Sequence, residues 1–214
     1  MFAPAFEAVP DGLPWLVSFP RTGSHRLRVM LELFFDRPML TRHFFEHDND
    51  DWLLIHDHDD RLRLVPNGPV IYLWRDPVPT VFSQLTYMHG PDIDRWTEPH
   101  VRAVADAYRA NLARWLGRDA PQTPAVVLTY EAMSRDMADA LAPAIAFLGG
   151  EHDAARIESI EERVTEDLIA SKSRYNDRVM DTRADKATRR AAFNERFGAM
   201  IDALDWSMIQ ARKN

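Results

Sequence analysis

The sequence contains no cysteine among its 214 residues. Disulfides, thiolate nucleophiles and cysteine-based zinc sites are therefore excluded, which is compatible with a reducing compartment. The N-terminal stretch also lacks an uninterrupted apolar segment and includes the acids Glu7 and Asp11. Neither a signal peptide nor a membrane span is visible, and there are no repeats or low-complexity tracts. We expect a cytoplasmic protein without a membrane partner.

Positive charge is scarce too, with 26 Lys and Arg against 33 Asp and Glu and a net charge of −7. This balance disfavours a nucleic-acid partner, so any anion site must be local. The hydrophobic content of 46% and charged content of 28% are ordinary for a globular protein. The length favours one domain over residues 1–214, although two small domains stay possible.

Residues 15–28 have the pattern of a strand, a tight turn and a helix. The apolar run 15–19 predicts a buried strand that Pro20 closes, because proline has no N–H for a sheet ladder. Thr22, Gly23 and Ser24 allow a sharp turn, and Thr22 or Ser24 is predicted to cap the helix that follows. An apolar stripe supports that helix, at Leu27, Met30, Leu31, Phe34 and Phe35.

A turn of this kind at a helix N-terminus favours anion binding, because free amides and the helix dipole point into it. Arg21 adds a full charge, with Arg26 or Arg28 as further candidates. The turn lacks the G-x-x-x-x-G-K-[ST] pattern that serves a Mg-nucleotide, since it has one glycine and no lysine. Such junctions also occur in α/β proteins without a bound anion, so phosphate or sulfate binding is one of two interpretations of this stretch alone.

Further strands are predicted at 52–55, 70–74 and 125–129, alternating with helices. Pro38 ends the first helix, Asp76 and Pro77 start the second, and a third runs from Pro99 to about Gly117. Ser134 is predicted to cap a helix that Gly149-Gly150 ends, and the last apolar stripe is Phe193, Phe197, Met200, Ile201 and Leu204. The order predicts an α/β fold whose central, mostly parallel sheet is flanked by helices.

Ligands in such folds bind at the carboxyl ends of the strands. Polar residues follow each predicted strand, at 21–24, 56–59, 75–83 and 130–131. Their shared placement predicts one site at this edge of the sheet.

Four segments in this order resemble the cytosolic-type sulfotransferase family, which uses 3′-phosphoadenosine 5′-phosphosulfate (PAPS). Residues 18–24 (SFPRTGS) are similar to its phosphosulfate loop, residues 71–77 (IYLWRDP) with Ser83 to its 3′-phosphate motif, and residues 128–133 (LTYEAM) to its Y-E-D-[LM] element. Residues 55–58 (IHDH) stand where the family carries K-[TS]-H, whose histidine is the general base. The resemblance covers residues 15 to about 150.

The resemblance implies a P-loop-NTPase-like sulfotransferase fold, PAPS as sulfuryl donor without a required metal, and a small-molecule acceptor with a hydroxyl or amine. It implies a catalytic set of His58, Arg21 and His56. The implied cofactor-binding set is Arg21, Thr22, Gly23, Ser24, His25, Arg75, Ser83 and Tyr130.

His58 is favoured over His56 as the base, because an imidazole with a pKa near ~6.5 is neutral at neutral pH. Asp57 and Asp59 are predicted to orient its ring or raise its pKa. A run of surface histidines, or a metal site of both histidines with neighbouring aspartates, are the alternatives.

The sequence departs from the family at three places. Arg21 replaces the usual lysine, and His25 and Arg26 replace the usual small residue and tryptophan after the loop. The late R-K-G element that clasps the 3′-phosphate is missing. The candidates to replace that element are Arg174, Arg178, Arg183, Lys186 and Arg190. The last three are predicted to share one helix face, and a solvated charged surface is the favoured interpretation of that pattern.

Two other functions stay open: a nucleotide-dependent phosphoryl-transfer enzyme, and a non-catalytic protein that binds 3′-phosphoadenosine 5′-phosphate (PAP) as a scaffold. The acidic segment 46–60 favours a neutral or cationic acceptor. The sequence does not predict an oligomeric state.

Overall fold

The computed structural model describes residues 9–118, 120–172, 181 and 183–210. Its centre is a sheet of four strands in the order β2-β1-β3-β4, and every neighbouring pair is parallel. The strands are β1 (Trp15–Ser18), β2 (Ile55–Asp57), β3 (Val70–Trp74) and β4 (Val126–Thr129). The predicted α/β fold with a parallel sheet flanked by helices is confirmed.

Nine α-helices of the described residues surround the sheet. They are α1 (Ser24–Phe35), α2 (Pro77–His89), α3 (Glu98–Leu116), α4 (Tyr130–Arg135), α5 (Met137–Phe147), α6 (Ala154–Arg163), α7 (Glu166–Ser171), α8 (Lys186–Asp202) and α9 (Ser207–Gln210). A 3₁₀ turn at Ile93–Arg95 joins α2 to α3.

Alternating side chains of the strands enter two apolar clusters, one on each face of the sheet. Trp15 and Val17 belong to a cluster with residues of α2, α3, α8 and α9, whereas Leu16 belongs to a cluster with residues of α1, α5, α6 and α7. Both faces of β3 are covered in the same way, which explains its continuous apolar sequence. Within the last predicted stripe, Phe193 and Phe197 are buried in the first cluster.

The second strand lies further along the chain than the predicted 52–55. Leu53 donates its amide to the carbonyl of Pro38 at 2.9 Å, and Leu54 accepts from the amide of Leu40 at 3.0 Å. These backbone groups are therefore already hydrogen-bonded to Pro38 and Leu40 and do not pair with β1. Pairing with β1 starts at Ile55, which places His56 inside the strand and His58 just after it.

Two predicted helix caps are wrong. Gly23, in the left-handed conformation, is the N-cap of α1, and the hydroxyl of Thr22 donates instead to the carbonyl of Phe19 at 2.8 Å. Ser134 lies within α4, and the cap of α5 is Asp136, whose carboxylate accepts from the amide of Asp139 at 2.9 Å.

The other predicted ends agree with the structure. Asp76 is the N-cap of α2 with Pro77 in its first turn, and α3 covers the predicted range. Gly149 takes a positive φ after α5, and Gly150 donates to the carbonyl of Ile145 at 2.9 Å. Within the described ranges, none of the helices combines the length and apolarity that crossing a bilayer needs.

Candidate active site

The carboxyl ends of the four strands open into one cavity of about 580 Å³. Each strand contributes a predicted site residue to its lining: Arg21 follows β1, His58 follows β2, Arg75 follows β3 and Tyr130 follows β4. Gly23, Ser24, His25 and Ser83 line the same cavity. Thr22 and His56 are not among the lining residues, because Thr22 is buried in the turn and the His56 ring contacts Ser18.

The turn between β1 and α1 is held open by backbone conformation. Arg21 has a φ of 72° and Gly23 a φ of 97°. A Cβ on Gly23 would lie 2.5 Å from Cδ2 of Tyr130, so glycine is required both by its φ and by the ring against it. The first amides of α1 have no partner within the helix, and they border the cavity at Gly23 and Ser24. This end of the cavity therefore suits an anion.

Arg21 and Arg75 lie against each other beside this turn. Arg21 donates from Nε to the hydroxyl of Ser83 at 3.1 Å, and Nη1 of Arg75 donates to the carbonyl of Arg21 at 3.4 Å. Burial lowers the pKa of both guanidinium groups, and the charge of Arg75 lowers the pKa of Arg21 further. Two partly buried like charges at close range favour an anion between them.

Arg75 also packs over an aromatic ring, with Cζ 4.0 Å from the ring centre of Tyr130. Its Nε is buried and has no hydrogen-bond partner among the described residues. Buried donors are normally paired, so this atom points to a ligand that accepts a hydrogen bond.

A tyrosine that the sequence analysis missed holds the backbone of Arg75. The amide of Arg75 donates to the hydroxyl of Tyr108 at 3.0 Å, and that hydroxyl donates to the carbonyl of Arg75 at 2.5 Å. The next amide, of Asp76, donates to Glu131 at 3.1 Å. In the sequence, Tyr108 is recognisable only as part of the apolar face of α3. No local pattern indicates that its hydroxyl contacts the backbone of Arg75 at the end of β3.

His56 and His58 project to the same side of the sheet end, and their ring centres are 4.6 Å apart. The hydroxyl of Ser18 lies between them, 3.3 Å from Nε2 of His56 and 3.1 Å from Nδ1 of His58. Ser18 is fully buried at the end of β1. Ser18 is absent from the site residues predicted from the sequence, although it opens the phosphosulfate-loop motif.

The expected pKa of His58 is wrong. Burial first, and the charge of Arg28 second, lower the pKa of His58 to about 4. Asp57 and Asp59 do not orient the ring: Asp57 accepts from the amide of Asp59 at 2.5 Å, and Asp59 accepts from Nε of Arg114 at 2.8 Å.

The two neighbouring histidines are neutral at pH 7 as well. Burial lowers the pKa of His25 to about 3 and that of His56 well below its ordinary value, and nearby arginines act in the same direction. Nε2 of His25 is buried without a hydrogen-bond partner in the described ranges, on the wall of the cavity. Neutral imidazoles surrounded by arginines can accept a proton or bind an anion without adding charge of their own.

Solved structures share this architecture. Mouse sulfotransferase SULT7A1 complexed with PAP has a TM-score of 0.60 and 14% identity, with 96% of this chain and 90% of that chain covered. The chain has a sulfotransferase fold. Retinol dehydratase matches in two complexes at 12% identity, one with androsterone and PAP and one with retinol and PAP. Their TM-scores are 0.59 and 0.61, and the matches cover 92% and 95% of this chain and 80% and 82% of theirs.

The sequence supports the same assignment over part of its length. Residues 55–154 match the family model described as Sulfotransferase family. No functionally curated protein matches the sequence. The resemblance predicted from the motifs is confirmed. All four motif segments contribute to the lining of the cavity, through Arg21 of the turn, His58, Arg75 and Tyr130.

In this sulfotransferase fold the late basic residues separate into groups. Lys186 and Arg190 line the cavity. The charge of Arg190 lowers the pKa of Arg75, so Arg190 and Arg75 are neighbours. Arg183 precedes α8 and donates to Asp181 at 2.8 Å, so the prediction of one shared helix face is wrong for it. Arg174 and Arg178 lie outside the described residues.

The described lining of the cavity carries more positive than negative side chains. The cations are Arg21, Arg26, Arg42, Arg75, Lys186 and Arg190, and the acids are Asp60, Glu166 and Asp181. Within the acidic segment 46–60, Asp60 is the acid that reaches this lining. A local basic site therefore exists in a protein of net charge −7. In the described part of the chain, His, Asp and Glu form no group of three that could hold a metal ion.

Proposed function

We propose that the protein transfers a sulfuryl group from PAPS to a hydroxyl or amine of a small-molecule acceptor. The observation that carries the proposal is the convergence of Arg21, His58, Arg75 and Tyr130 from four strand ends on one basic cavity. An anion cradle, a neutral histidine and an aromatic wall are the parts that this transfer needs.

The residues present fit such a donor. The amides of residues 22–24 and the Arg21 guanidinium would bind the 5′-phosphosulfate, with His25 beside them. Arg75, Ser83 and Tyr130 would bind the 3′-phosphate and nucleoside, and the unpartnered Nε of Arg75 supports this assignment. We propose Arg190 as the replacement for the missing late basic element, since its charge acts on Arg75.

Bound PAPS supplies the activated sulfuryl group, and the side chains of this protein handle charge and protons. His58 would take the proton of the acceptor at Nε2 while the acceptor oxygen or nitrogen bonds to sulfur. The bridging S–O bond would break as this bond forms, and its electron pair would stay on the phosphate that the turn and Arg21 would hold. Arg21 does not lose its proton and acts through its charge and its hydrogen bonds. His56, behind Ser18 and outside the cavity lining, is the weaker candidate for the base.

The proposal predicts sulfuryl transfer from PAPS in buffer that contains EDTA, because the cradle consists of amides and arginines. A panel of phenols, alcohols and amines with labelled PAPS is the measurement, and one PAP should form for each sulfated product. A thermal-shift comparison of PAP with Mg-ATP serves as the control for the phosphoryl-transfer alternative. Stabilisation by Mg-ATP alone would contradict the proposal. Stabilisation by PAP without turnover of any acceptor would favour the scaffold alternative.

Three further expectations stay predictions. They are the cytoplasmic location, the single-domain organisation over residues 1–214, and a neutral or cationic acceptor. The expectation of a neutral or cationic acceptor has less support than the sequence suggested. Among the acids of the segment 46–60, only Asp60 is part of the described cavity lining.

A further inference from the structure

Three basic side chains surround the ring of Phe44, in the segment that follows α1. Cζ of Arg28 lies 4.8 Å and Cζ of Arg42 lies 5.6 Å from the centre of this ring, and the ring centre of His25 is 5.8 Å from it. His25 and Arg42 line the cavity, whereas Arg28 is 3% exposed and is not among the lining residues. We call His25, Arg28 and Arg42 the Phe44 cluster.

Two buried nitrogen atoms of the Phe44 cluster have no hydrogen-bond partner among the described residues. They are Nε2 of His25 and Nε of Arg28. None of the ion pairs in the described part of the chain includes Arg28. Buried polar atoms are normally hydrogen-bonded and buried charges are normally paired, so the cluster points to a ligand with oxygen atoms and negative charge.

Positive charge in the cluster is balanced only in part. Burial first, and the charge of Arg42 second, lower the pKa of Arg28 to about 10, and the charge of Glu32 acts more weakly in the opposite direction. The Glu32 carboxylate accepts from two backbone amides of the segment that contains Phe44, at 2.8 Å each, and so holds this segment against α1. Asp60, an acid of the cavity lining, is exposed, so solvent screens its charge.

The Phe44 cluster adjoins the proposed base. Nη1 of Arg28 is 3.5 Å from Nδ1 of His56, and the ring centre of His56 is 4.6 Å from that of His58. Nη2 of Arg28 donates to the carbonyl of Arg42, and Nη2 of Arg42 donates to the carbonyl of Lys172 at 3.1 Å. These contacts hold Arg42 on the cavity wall, on the side of the cavity where His58 lies.

The cations assigned to PAPS belong to other elements. Arg21 and Arg75 follow β1 and β3, and Arg190 lies on α8, whereas the Phe44 cluster belongs to α1 and the segment after it. Arg21 and Arg75 are joined to each other through the carbonyl of Arg21. The 5′-phosphosulfate and the 3′-phosphate therefore have their own partners, and the cluster is left for the acceptor.

We infer that the acceptor carries a carboxylate, which binds to the Phe44 cluster while the hydroxyl of the acceptor faces His58. The inference rests on the proposed function, because His58 marks the reacting end of the acceptor. The planar guanidinium of Arg42 and the Nε2 atom of His25 match the two oxygens and the single charge of a carboxylate. A carboxylate acceptor replaces the neutral or cationic acceptor that the acidic segment 46–60 suggested.

The test compares acceptors that share one phenol and differ in charge. They are para-hydroxyphenylacetate and para-hydroxyphenylpropionate, the methyl ester of each, and tyramine, which carries an ammonium group. Labelled PAPS and the full chain give kcat/KM for sulfation of the phenol. We expect at least one acid to exceed its ester about 10- to 100-fold, mainly through KM, which is the effect of a hydrogen bond between charged groups. Tyramine should be the poorest acceptor.

Variants connect this preference to the cluster. Arg42→Gln should lower the acid-to-ester ratio of kcat/KM about 10-fold, and Arg42→Lys, which keeps the charge, should retain part of the preference. The control is Arg63→Gln, which removes an exposed guanidinium outside the cavity lining and should leave the ratio at its parent value. Calorimetry of the same acids and esters with the protein saturated with PAP is a second readout that needs no turnover.

Equal kcat/KM for the acids and their esters, or a preference for tyramine, would overturn the inference. An Arg42→Gln variant that loses activity on acid and ester equally would do the same. If no phenol is sulfated, tighter binding of the acids than of the esters to the PAP complex would support the carboxylate site and contradict the proposed transfer, whereas equal binding would overturn the inference. If Arg42→Gln does not fold, the parent ratio and Arg42→Lys decide.

Discussion

Replacement of His58 by alanine is expected to lower turnover by about 10²–10⁴-fold, the usual contribution of a general base. Affinity for PAP should stay within a few-fold, because among the described residues His58 forms no hydrogen bond with Arg75 or with the turn at 22–24. Steady-state kinetics with PAPS and calorimetry with PAP measure the two quantities separately.

The matched control is His56→Ala, which removes the neighbouring ring on the same strand. His56 touches Ser18 and Arg28 and does not line the cavity, so its loss should reduce turnover less than the loss of His58. The reverse order of the two effects would move the base to His56. Unchanged turnover in both variants would contradict a histidine base at this position.

Arg75→Ala is expected to weaken PAP binding by about 10- to 150-fold, while adenosine 5′-phosphosulfate, which has no 3′-phosphate, binds as it does to the parent. A hydrogen bond between charged groups contributes about 1.5–3 kcal/mol, which corresponds to this range. The buried Nε of Arg75 without a described partner, and the Arg190 charge beside it, are the structural reasons. Competitive binding of the two nucleotides is the measurement.

Two controls distinguish recognition from support of the fold. Arg95→Ala removes a guanidinium that is 81% exposed on the 3₁₀ turn, and it should leave both affinities unchanged. Equal losses of affinity for PAP and for adenosine 5′-phosphosulfate in Arg75→Ala would show that Arg75 stabilises the strand end and does not recognise the 3′-phosphate.

Much of the fold follows from local sequence patterns. The first, third and fourth strands are continuous or nearly continuous apolar runs, and proline, glycine and aspartate mark most helix ends. The strand containing His56 is shorter and polar at its end, and the hydrogen bonds that shift it come from residues 38–40. Those bonds depend on how a long connection folds back, which no local pattern describes.

The candidate site also has parts that the local sequence predicts and parts that it does not. The shared placement of Arg21, Arg75 and Tyr130 is predictable because each follows a strand and parallel strands end at one edge, and their roles are implied by the family motifs. The link between Ser18 and His58 depends on the register that pairs Val17 with Asp57, so residues far apart in the sequence become neighbours. The pKa of His58 was also beyond local reasoning, since burial and Arg28 set it. Arg28 itself lies on α1, one helix turn after Ser24.

This cavity is expected to bind a nucleotide with a 3′-phosphate and a 5′-phosphate through amides and arginines. The measurement is calorimetric titration of the full chain with PAP in the presence of EDTA. We expect binding of one PAP per chain that EDTA does not weaken and that Arg75→Ala weakens at least about 10-fold. Binding that appears only when Mg²⁺ is added, or equal affinity for PAP and for adenosine 5′-phosphate, would contradict this expectation.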